Sequence, residues 1–522
     1  MIFTSLDYIV FLFITIVLYY LMPSKFRWLV LLSASLFFYA TYDIKFIPFI
    51  VLTSGISFSA AYIMSNYQEK AAALMESADS SSEKKEIKTE AKKKCKRVML
   101  TAVILILAYL MYTKFALKIW NLFVHSKEPV FKVIVPLGIS YYTFSTVGYI
   151  LDIYWKRYKA EKNFFRYLLY VVYFPHILQG PIARYDRLGK QFSVPHTFDY
   201  TGCCRGAQLI LWGFFQKLVI ADRLSDFVEN IFISVSYHGG AVLLLATFLY
   251  AIQLYADFDG CVNIARGTSS IFGIELEENF RRPYFSKSVE EYWRRWHMTL
   301  GAWFKDYLCM PVSVSSFVKN ISKKVRNKWG NTAGKKTTSI IAVIAVWICT
   351  GVWHGTGLNY VLWGIWQGGI IIFSLIMDER FIKIKEKLKI TDNLVWWRAF
   401  QMIRTFILTA IIPRIITRTN CLNDSLIIFK RILLSPRLEE FSDGALAANG
   451  LDHTTIVICL VGVIIWLVIA ILKENGVHIR ETIDKQFILV RWSIYLGAFF
   501  FVAVFGLYGP GFDAGSFVYM GF

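Results

Sequence analysis

Long apolar runs separated by short polar links are the main pattern of this 522-residue chain. The early runs occupy residues 6–22, 28–41, 46–64, 98–124 and 133–155. A membrane-spanning α-helix needs about 20 predominantly apolar residues, so we interpret each run as a span. The first run lacks a preceding basic residue and a following cleavage site, and we therefore expect a span there rather than a signal peptide.

The middle of the chain has a different pattern, because its apolar segments between residues 164 and 284 are short. The residues that interrupt them are Pro175, Gly180, Pro181, Gly206, Gly239, Gly240, Gly260 and Gly267. Broken or re-entrant helices occur at membrane depth only where they are packed in protein or line an aqueous cavity. We therefore expect functional residues in this region.

Long apolar runs resume in the second half of the chain. A span is predicted at 241–256, and the later spans are 339–352, 358–377, 396–416, 455–472 and 492–506. The sequence thus predicts an all-α membrane protein with about eleven spans. No repeat of helix length is visible, which argues against a repeat-built transporter. No segment fits a soluble domain, so we predict one membrane domain over 1–522.

Composition excludes several protein classes. Hydrophobic residues make up 56% of the chain and charged residues only 18%, against about 25% charged residues in soluble domains. A disordered chain, a coiled coil and an ordinary cytosolic enzyme are therefore excluded. The eight cysteines form no CxxC pair, so neither a zinc site nor a disulfide framework is indicated, and we predict no metal.

The charge balance predicts the orientation of the chain. Lys and Arg number 57 against 37 Asp and Glu, a formal net charge of +20. In a membrane protein this excess indicates basic cytoplasmic loops rather than a nucleic-acid partner. The helix-forming polar loop 66–97 ends in a Lys-rich run, and the segment 315–338 has seven basic residues and no acid. We predict that both segments are cytoplasmic. Because three spans precede the loop 66–97, the N-terminus should be extracytoplasmic.

Two histidines are candidate functional residues, because ionisable groups within a membrane are costly. His354 follows a predicted span in the sequence Trp353-His354-Gly355. Apolar surroundings would favour its neutral, basic form. A hydrogen-bonded structural histidine between helices fits these residues equally well. Of the remaining histidines, His176 is a weak candidate beside Pro175, and the others lie in or beside polar loops: His125, His196, His238, His453 and His478.

His297 is the second candidate. Residues 293, 297, 300 and 304 have helical spacing, which places His297 on one apolar stripe of a predicted helix. A Trp-rich interfacial helix without a catalytic role is the favoured alternative at this stage. The adjacent Arg294 and Arg295 would point elsewhere, towards headgroups or an anionic ligand.

A third cluster, Asp257-Phe258-Asp259-Gly260, follows the predicted helix 241–256. Its carboxylates would anchor the end of that helix or form a polar tunnel wall, and the structural role is favoured. The chain has no nucleophile elbow, phosphate loop or HExxH motif. Direct transfer assisted by a histidine base is therefore the chemistry that these residues can supply.

Six segments, taken together, resemble the membrane-bound O-acyltransferase (MBOAT) family, and within it the bacterial alginate O-acetylation and D-alanyl transfer proteins. These segments are PLGISYYTF at 136–144, FPHILQGPIAR at 174–184, DFDG at 257–260, ENFRRPY at 278–284, YWRRWHMTL at 292–300 and WHG at 353–355. The resemblance implies the MBOAT fold, with re-entrant or interfacial helices around a central tunnel and a motif region at 133–377.

The resemblance also implies roles for individual residues. His354 matches the essential histidine of the family, and His297 matches a second active-site position that is normally Asn or His. Residues predicted to line the tunnel are Trp353, Trp296, Trp293, Asn279, Asp257, Gln179 and Tyr142. Arg294 and Arg295 are candidates for binding the donor. The usual motif DFSGY reads DFDGC here, and Asn263 replaces an expected acid, which puts acceptor preference in doubt.

The implied reaction transfers an acyl group, most simply acetyl, from a cytoplasmic thioester such as acetyl-CoA to a cell-surface polysaccharide or peptidoglycan. We expect no bound cofactor. In this reading His354 is the base for an acceptor hydroxyl, or it helps to pass the acyl group to an extracytoplasmic esterase-like acetyltransferase. The chain would act in the lipid bilayer of the cell membrane. Two alternatives stay open: D-alanyl transfer from a carrier protein to teichoic acid, and a non-catalytic transporter or flippase.

Overall fold

The computed structural model describes residues 1–124, 134–419 and 421–508. These residues form α-helices, short 3-10 and π-helical turns and irregular links, without a β-strand. The predicted all-α fold class is therefore confirmed. His125, which we expected in a loop, and residue 133, the predicted start of a span, lie outside the described residues.

The chain forms two compact units, and the first combines residues 1–208 with 265–277. Its helices are α1 (Leu6–Leu21), α2 (Arg27–Ala40), α3 (Ile47–Ser77), α4 (Ser81–Val124), α5 (Ile139–Tyr154), α6 (Phe164–Val172), α7 (Phe174–Ile177) and the start of α8 (Tyr200–Phe214). Helices α3, α4 and α5 pack on one another. The polar loop 66–97 is almost entirely helical, because α3 and α4 extend into it from both sides, as its helix-forming composition predicted.

The second unit combines residues 209–264 with the chain from 278 onward. After α8 it contains a π-helical segment (Phe215–Ala221), α9 (Asp222–Ile233), α10 (Gly240–Ile271, to residue 264), α11 (Val289–Arg295), α12 (Met298–Phe304), a second π-helical segment (Lys305–Cys309), α13 (Met310–Val314), α14 (Ser316–His354), α15 (Leu358–Lys387), α16 (Val395–Phe406), a third π-helical segment (Ile407–Ile411), α17 (Ile412–Arg418), α18 (Leu422–Leu434), α19 (Ala445–Ala448), α20 (His453–Glu474), α21 (Ile479–Asp484) and α22 (Ile488–Phe505). Helices α14 and α15 form a closely packed antiparallel hairpin, and His354 is the last residue of α14 before the connecting turn.

Eight helical stretches among the described residues are long and apolar enough to cross a membrane. They are Ile44–Ser77, Ser81–Phe115, Gly240–Ile271, Ser316–His354, Leu358–Lys387, Val395–Arg418, His453–Glu474 and Ile488–Phe505. Every predicted span coincides with a helix. The three that fall short of this set correspond to α1, α2 and α5, which have 16, 14 and 16 residues.

The predicted end of a helix at residue 256 is wrong, because α10 continues through the DFDG motif to Ile271. Its two interior glycines do not interrupt the helix, and their carbonyl oxygens lie against two glycines of α8. In the second unit, a Cβ on Gly213 of α8 would lie 2.5 Å from the carbonyl oxygen of Gly260. In the first unit, a Cβ on Gly206 would lie 2.6 Å from the carbonyl oxygen of Gly267. Small residues at such positions let two helix backbones approach.

The basic segment 315–338 is helical and forms the first part of α14. Ser315 begins the helix by accepting a hydrogen bond from the backbone N–H of Val318. Gly330 then kinks it with a φ of 89°, a left-handed conformation that glycine adopts without steric cost. The second part of α14 leads to the histidine that the sequence singled out.

Candidate active site

His297 lies at a sharp turn between two short helices, so the predicted apolar stripe through residue 297 is wrong. Helix α11 ends at Arg295 and α12 begins at Met298, while His297 itself has a φ of 47°. The turn is held by the preceding segment of chain. The N–H of Met298 donates to the carbonyl oxygen of Asn279 at 2.9 Å, and the N–H of Arg281 donates to that of Arg295 at 2.8 Å. The turn directs the imidazole into the protein, where it is 3% exposed.

The side chain of Asn279 fixes the imidazole of His297. Its Oδ1 lies 3.2 Å from Nδ1 of His297, and it also accepts hydrogen bonds from the N–H of Thr299 at 3.1 Å and from its hydroxyl at 2.9 Å. Because Oδ1 is an acceptor, Nδ1 must carry the proton of the neutral ring. The lone pair is then on Nε2, which has no hydrogen-bond partner among the residues that the structure describes.

Apolar packing keeps His297 neutral. The ring of Phe258 meets the imidazole edge-on at 4.9 Å, and Phe280 lies 6.4 Å away. His297 is outside the eight candidate spans, and burial lowers its pKa to about 3. His297 is therefore uncharged near neutral pH and offers one nitrogen, Nε2, that can accept a hydrogen bond from a hydroxyl.

His354 is the last residue of α14 and is 8% exposed. Its imidazole is packed edge-on between the rings of Trp353 at 4.6 Å and Trp363 at 4.7 Å. The turn after it requires glycine at position 355, since a Cβ there would lie 2.3 Å from the ring of Tyr360. The hairpin of α14 and α15 thus holds the histidine between indole rings.

Aromatic rings connect the two histidines within the second unit. Successive ring contacts run from His354 through Trp363, Trp293, Tyr292, Trp296 and Phe280 to His297. The indole N–H of Trp293 also donates to Gln367 of α15 at 3.2 Å. The structure therefore brings the predicted residues Trp293, Trp296 and Trp353 together with both histidines in one aromatic cluster.

Asp257 is in the interior of α10, so its predicted role at the end of a helix is wrong. Its Oδ1 accepts a hydrogen bond from Nζ of Lys217 at 2.6 Å, and the same ammonium group lies 2.8 Å from Asp222. All three side chains are at most 5% exposed. Because the next residue, Phe258, packs on His297, this ion pair fixes the rotation of α10 beneath the imidazole.

A second polar contact joins the same two segments. The amide nitrogen of Gln216 donates to Asp259 at 2.7 Å, and its oxygen accepts from Asn263 at 2.9 Å. Sequence reasoning did not identify Gln216, Lys217 or Asp222. The available signal was a Gln-Lys pair within the apolar run Phe215–Ala221.

The two candidate donor-binding arginines have different environments. Arg294 pairs with Glu290 at 3.0 Å on an exposed face. Arg295 is about one-fifth exposed and is held by Glu291 at 2.6 Å and by Glu474 at 2.9 Å. Glu474 also accepts from Arg282 at 2.6 Å. Arg294 is therefore the more accessible of the two.

Comparison with known proteins identifies the family. The sequence profile of the MBOAT, membrane-bound O-acyltransferase, family matches residues 160–326. The probable alginate O-acetylase AlgI of Azotobacter vinelandii is 30% identical over 400 residues, which are 74% of this chain and 70% of that protein. The chain belongs to the MBOAT family. This MBOAT protein is consequently an acyltransferase and a multi-pass membrane protein.

Two further relatives differ in what their names describe. The peptidoglycan O-acetyltransferase of Helicobacter pylori is 27% identical over 368 residues, which are 65% of this MBOAT protein and 62% of the relative. The teichoic acid D-alanyltransferase of Bacillus subtilis is 30% identical over 300 residues, which are 56% and 71% of the two chains. The profile match includes His297 and ends before His354.

Two predicted tunnel residues belong to the first unit of this MBOAT protein. Gln179 is fully buried, and Tyr142 on α5 is 1% exposed. His176, the weak candidate, is buried on α7, and its Nδ1 lies 2.8 Å from the carbonyl oxygen of Tyr173. These residues stay predictions for a site role. Within the described ranges, no group of three or more His, Cys, Asp or Glu side chains is placed to hold a metal ion.

Proposed function

We propose that this acyltransferase O-acetylates a cell-surface polysaccharide or peptidoglycan. The observation that carries the proposal is the pair of buried histidines in one aromatic cluster, with the Nε2 lone pair of His297 unpartnered among the described residues. The names of the alginate and peptidoglycan O-acetylating relatives support an acetyl donor and a glycan hydroxyl acceptor.

The chemistry follows from the acceptor. A glycan hydroxyl has a pKa of about 16, so its attack on a thioester needs a base within hydrogen-bond reach. In our proposal His354 takes that proton while the hydroxyl oxygen forms a bond to the acyl carbon. The C–S bond then breaks, and the leaving thiolate receives the proton. His297 positions the reacting groups through Nε2, and the surrounding rings exclude the water that would hydrolyse the donor.

The donor and the topology are parts of the same proposal. Acetyl-CoA is the thioester that we expect to enter from the cytoplasm, where the basic residues of 66–97 and 315–338 would lie with the N-terminus on the opposite side. The exposed Arg294 would attract its phosphates. In the other route, His354 would instead help to pass the acyl group across the membrane, and an esterase-like acetyltransferase outside the membrane would transfer it to the glycan.

The decisive experiment replaces His354 with Ala and measures ester-linked acetate released by mild alkali from cell envelopes. Loss of a positioned base should reduce the rate by about 100-fold or more. The control is His478→Ala, which removes a histidine whose side chain is 78% exposed. Acetate at the wild-type level with normal membrane abundance of the His354→Ala protein would refute the assignment.

The similarity to a teichoic acid D-alanyltransferase supports one alternative, D-alanyl transfer from a carrier protein. Membranes incubated with labelled acetyl-CoA separate the two donors. Label in the glycan fraction, lost in His354→Ala, is the result expected for O-acetylation. Ester-linked D-alanine in envelopes without any transfer of acetyl label would favour the alternative.

A further inference from the structure

A cavity in the first unit carries an unbalanced positive charge. It has a volume of about 110 Å³, several times that needed for one water molecule. The link between α1 and α2 lines it with Lys25, and the start of α2 adds Arg27 and Trp28. The start of α6 adds Arg166, and the irregular segment before α8 adds His196. None of the described residues that line the cavity carries a carboxylate.

The three cations have no acidic partner within the described part of the chain. Three like charges around one small cavity repel each other, and an anion between them would remove that cost. Their existing contacts are with neutral groups. Nε of Arg27 donates to the carbonyl oxygen of Met22 at 3.1 Å, and its Nη2 donates to that of Tyr20 at 3.3 Å. These bonds hold one cation rigidly in place.

Arg166 supplies the group most suited to bind a ligand. Its guanidinium lies over the ring of Trp28, 5.4 Å from the centroid. Its Nε is buried and has no hydrogen-bond partner among the residues described. A planar guanidinium with a spare donor binds phosphate oxygens with good geometry. Lys25 is exposed and adds a mobile charge at the cavity.

The surroundings of the cavity favour an amphipathic ligand. Apolar side chains next to the lining residues are exposed: Leu21 is 77%, Phe165 is 57% and Val194, itself a lining residue, is 59% exposed. The neighbouring segment 156–166 is basic, which places this end of the helices in the inner, anionic leaflet by the positive-inside rule. We propose that the cavity binds the phosphodiester headgroup of an anionic phospholipid, with its acyl chains along α1 and α2.

The test measures the melting midpoint of the purified full-length protein in detergent with added short-chain phosphatidylglycerol or phosphatidylcholine. Phosphatidylglycerol should raise the midpoint of the wild type in a saturable manner, and phosphatidylcholine should not. Arg166→Gln and Lys25→Gln should each weaken the apparent affinity for phosphatidylglycerol about five-fold. Lys162→Gln is the matched control, because it removes an exposed cation from the same basic segment outside the cavity.

Each other result decides against the proposal. Equal stabilisation by both lipids, or an unchanged affinity in Arg166→Gln and Lys25→Gln, would show that the cavity does not bind the headgroup. If Arg166→Gln fails to fold, Lys25→Gln still tests the proposal, because Lys25 is exposed and its replacement should not disturb folding. Coenzyme A is the second arm. If it stabilises the wild type in an Arg166-dependent manner and the phospholipid does not, the phosphate belongs to a soluble ligand and the lipid assignment is wrong.

Discussion

Removing the ammonium group of Lys217 should strongly destabilise the protein. Lys217→Met keeps a similar side-chain volume and leaves Asp257 and Asp222 buried without their cation. Their oxygens lie 2.6 Å and 2.8 Å from Nζ, and their side chains are 1% and 5% exposed. Breaking a buried ion pair by removing one partner costs about 3–5 kcal/mol. Arg281→Gln is the control, because its pair with Glu278 is exposed and contributes about 0–1 kcal/mol.

The assay is thermal unfolding of the purified proteins in one detergent. Lys217→Met should unfold at a clearly lower temperature than Arg281→Gln, which should match the wild type. Adding Asp257→Asn to Lys217→Met should recover part of the loss, because one of the two carboxylates that lost the ammonium group is then neutral. An unfolding temperature for Lys217→Met equal to that of the control would refute the reasoning, since it would mean that no uncompensated charge remains buried.

Three other changes test the packing around the histidines. Gly364→Ala places a Cβ 2.5 Å from a backbone carbonyl oxygen of α14 and should lower both the unfolding temperature and the envelope acetate. Gly369→Ala is the control: its new Cβ has no atom within 4 Å, so neither quantity should fall. Asp259→Ser should destabilise by about 1–3 kcal/mol, and adding Asn263→Asp should restore stability in a double-mutant cycle; additive effects would refute the coupling. Burial lowers the pKa of His297 to about 3, so its stabilising contribution is complete above a pH of about 6.5 and is lost as the pH falls towards 3. His297→Asn should therefore make unfolding less sensitive to acid between pH 6.5 and 4. Equal acid sensitivity of the variant and the wild type would contradict this.

The sequence predicted helices well and their ends poorly. Hydropathy located a helix at each predicted span, eight of them in stretches long and apolar enough to cross a membrane, because a membrane-length apolar run has few alternatives to a helix. It failed within α10, where Gly260 and Gly267 suggested interruption. Glycine weakens a helix in isolation by about 1 kcal/mol. Here the carbonyl oxygens of both glycines lie against glycines of α8, and this close contact is visible only in three dimensions. Local composition does not distinguish a glycine that ends a helix from a glycine that packs against a second helix.

The candidate site was predicted in part. The motifs indicated His354, His297 and the tryptophans, and the structure joins them in one aromatic cluster. The turn at His297 was missed, because helical spacing fits residues 293–304 although α11 ends at Arg295 and α12 begins at Met298. Lys217 was missed for another reason: its partner Asp257 is 40 positions away, and without the fold nothing links the two. The sequence identifies the chemical type of each side chain, whereas the partner of each side chain depends on tertiary contacts.

Gln216 gives a physical explanation for two departures from the family motif. The resemblance leads us to expect Ser at position 259 and an acid at 263, whereas this chain has Asp259 and Asn263. Gln216 donates to the first and accepts from the second. An amide can turn over, because its two ends have opposite roles. With Ser at 259 and Asp at 263 it would donate to 263 and accept from the hydroxyl at 259. The exchange therefore keeps one carboxylate and both hydrogen bonds of the Gln216 amide, so it has a structural explanation that does not involve a different acceptor.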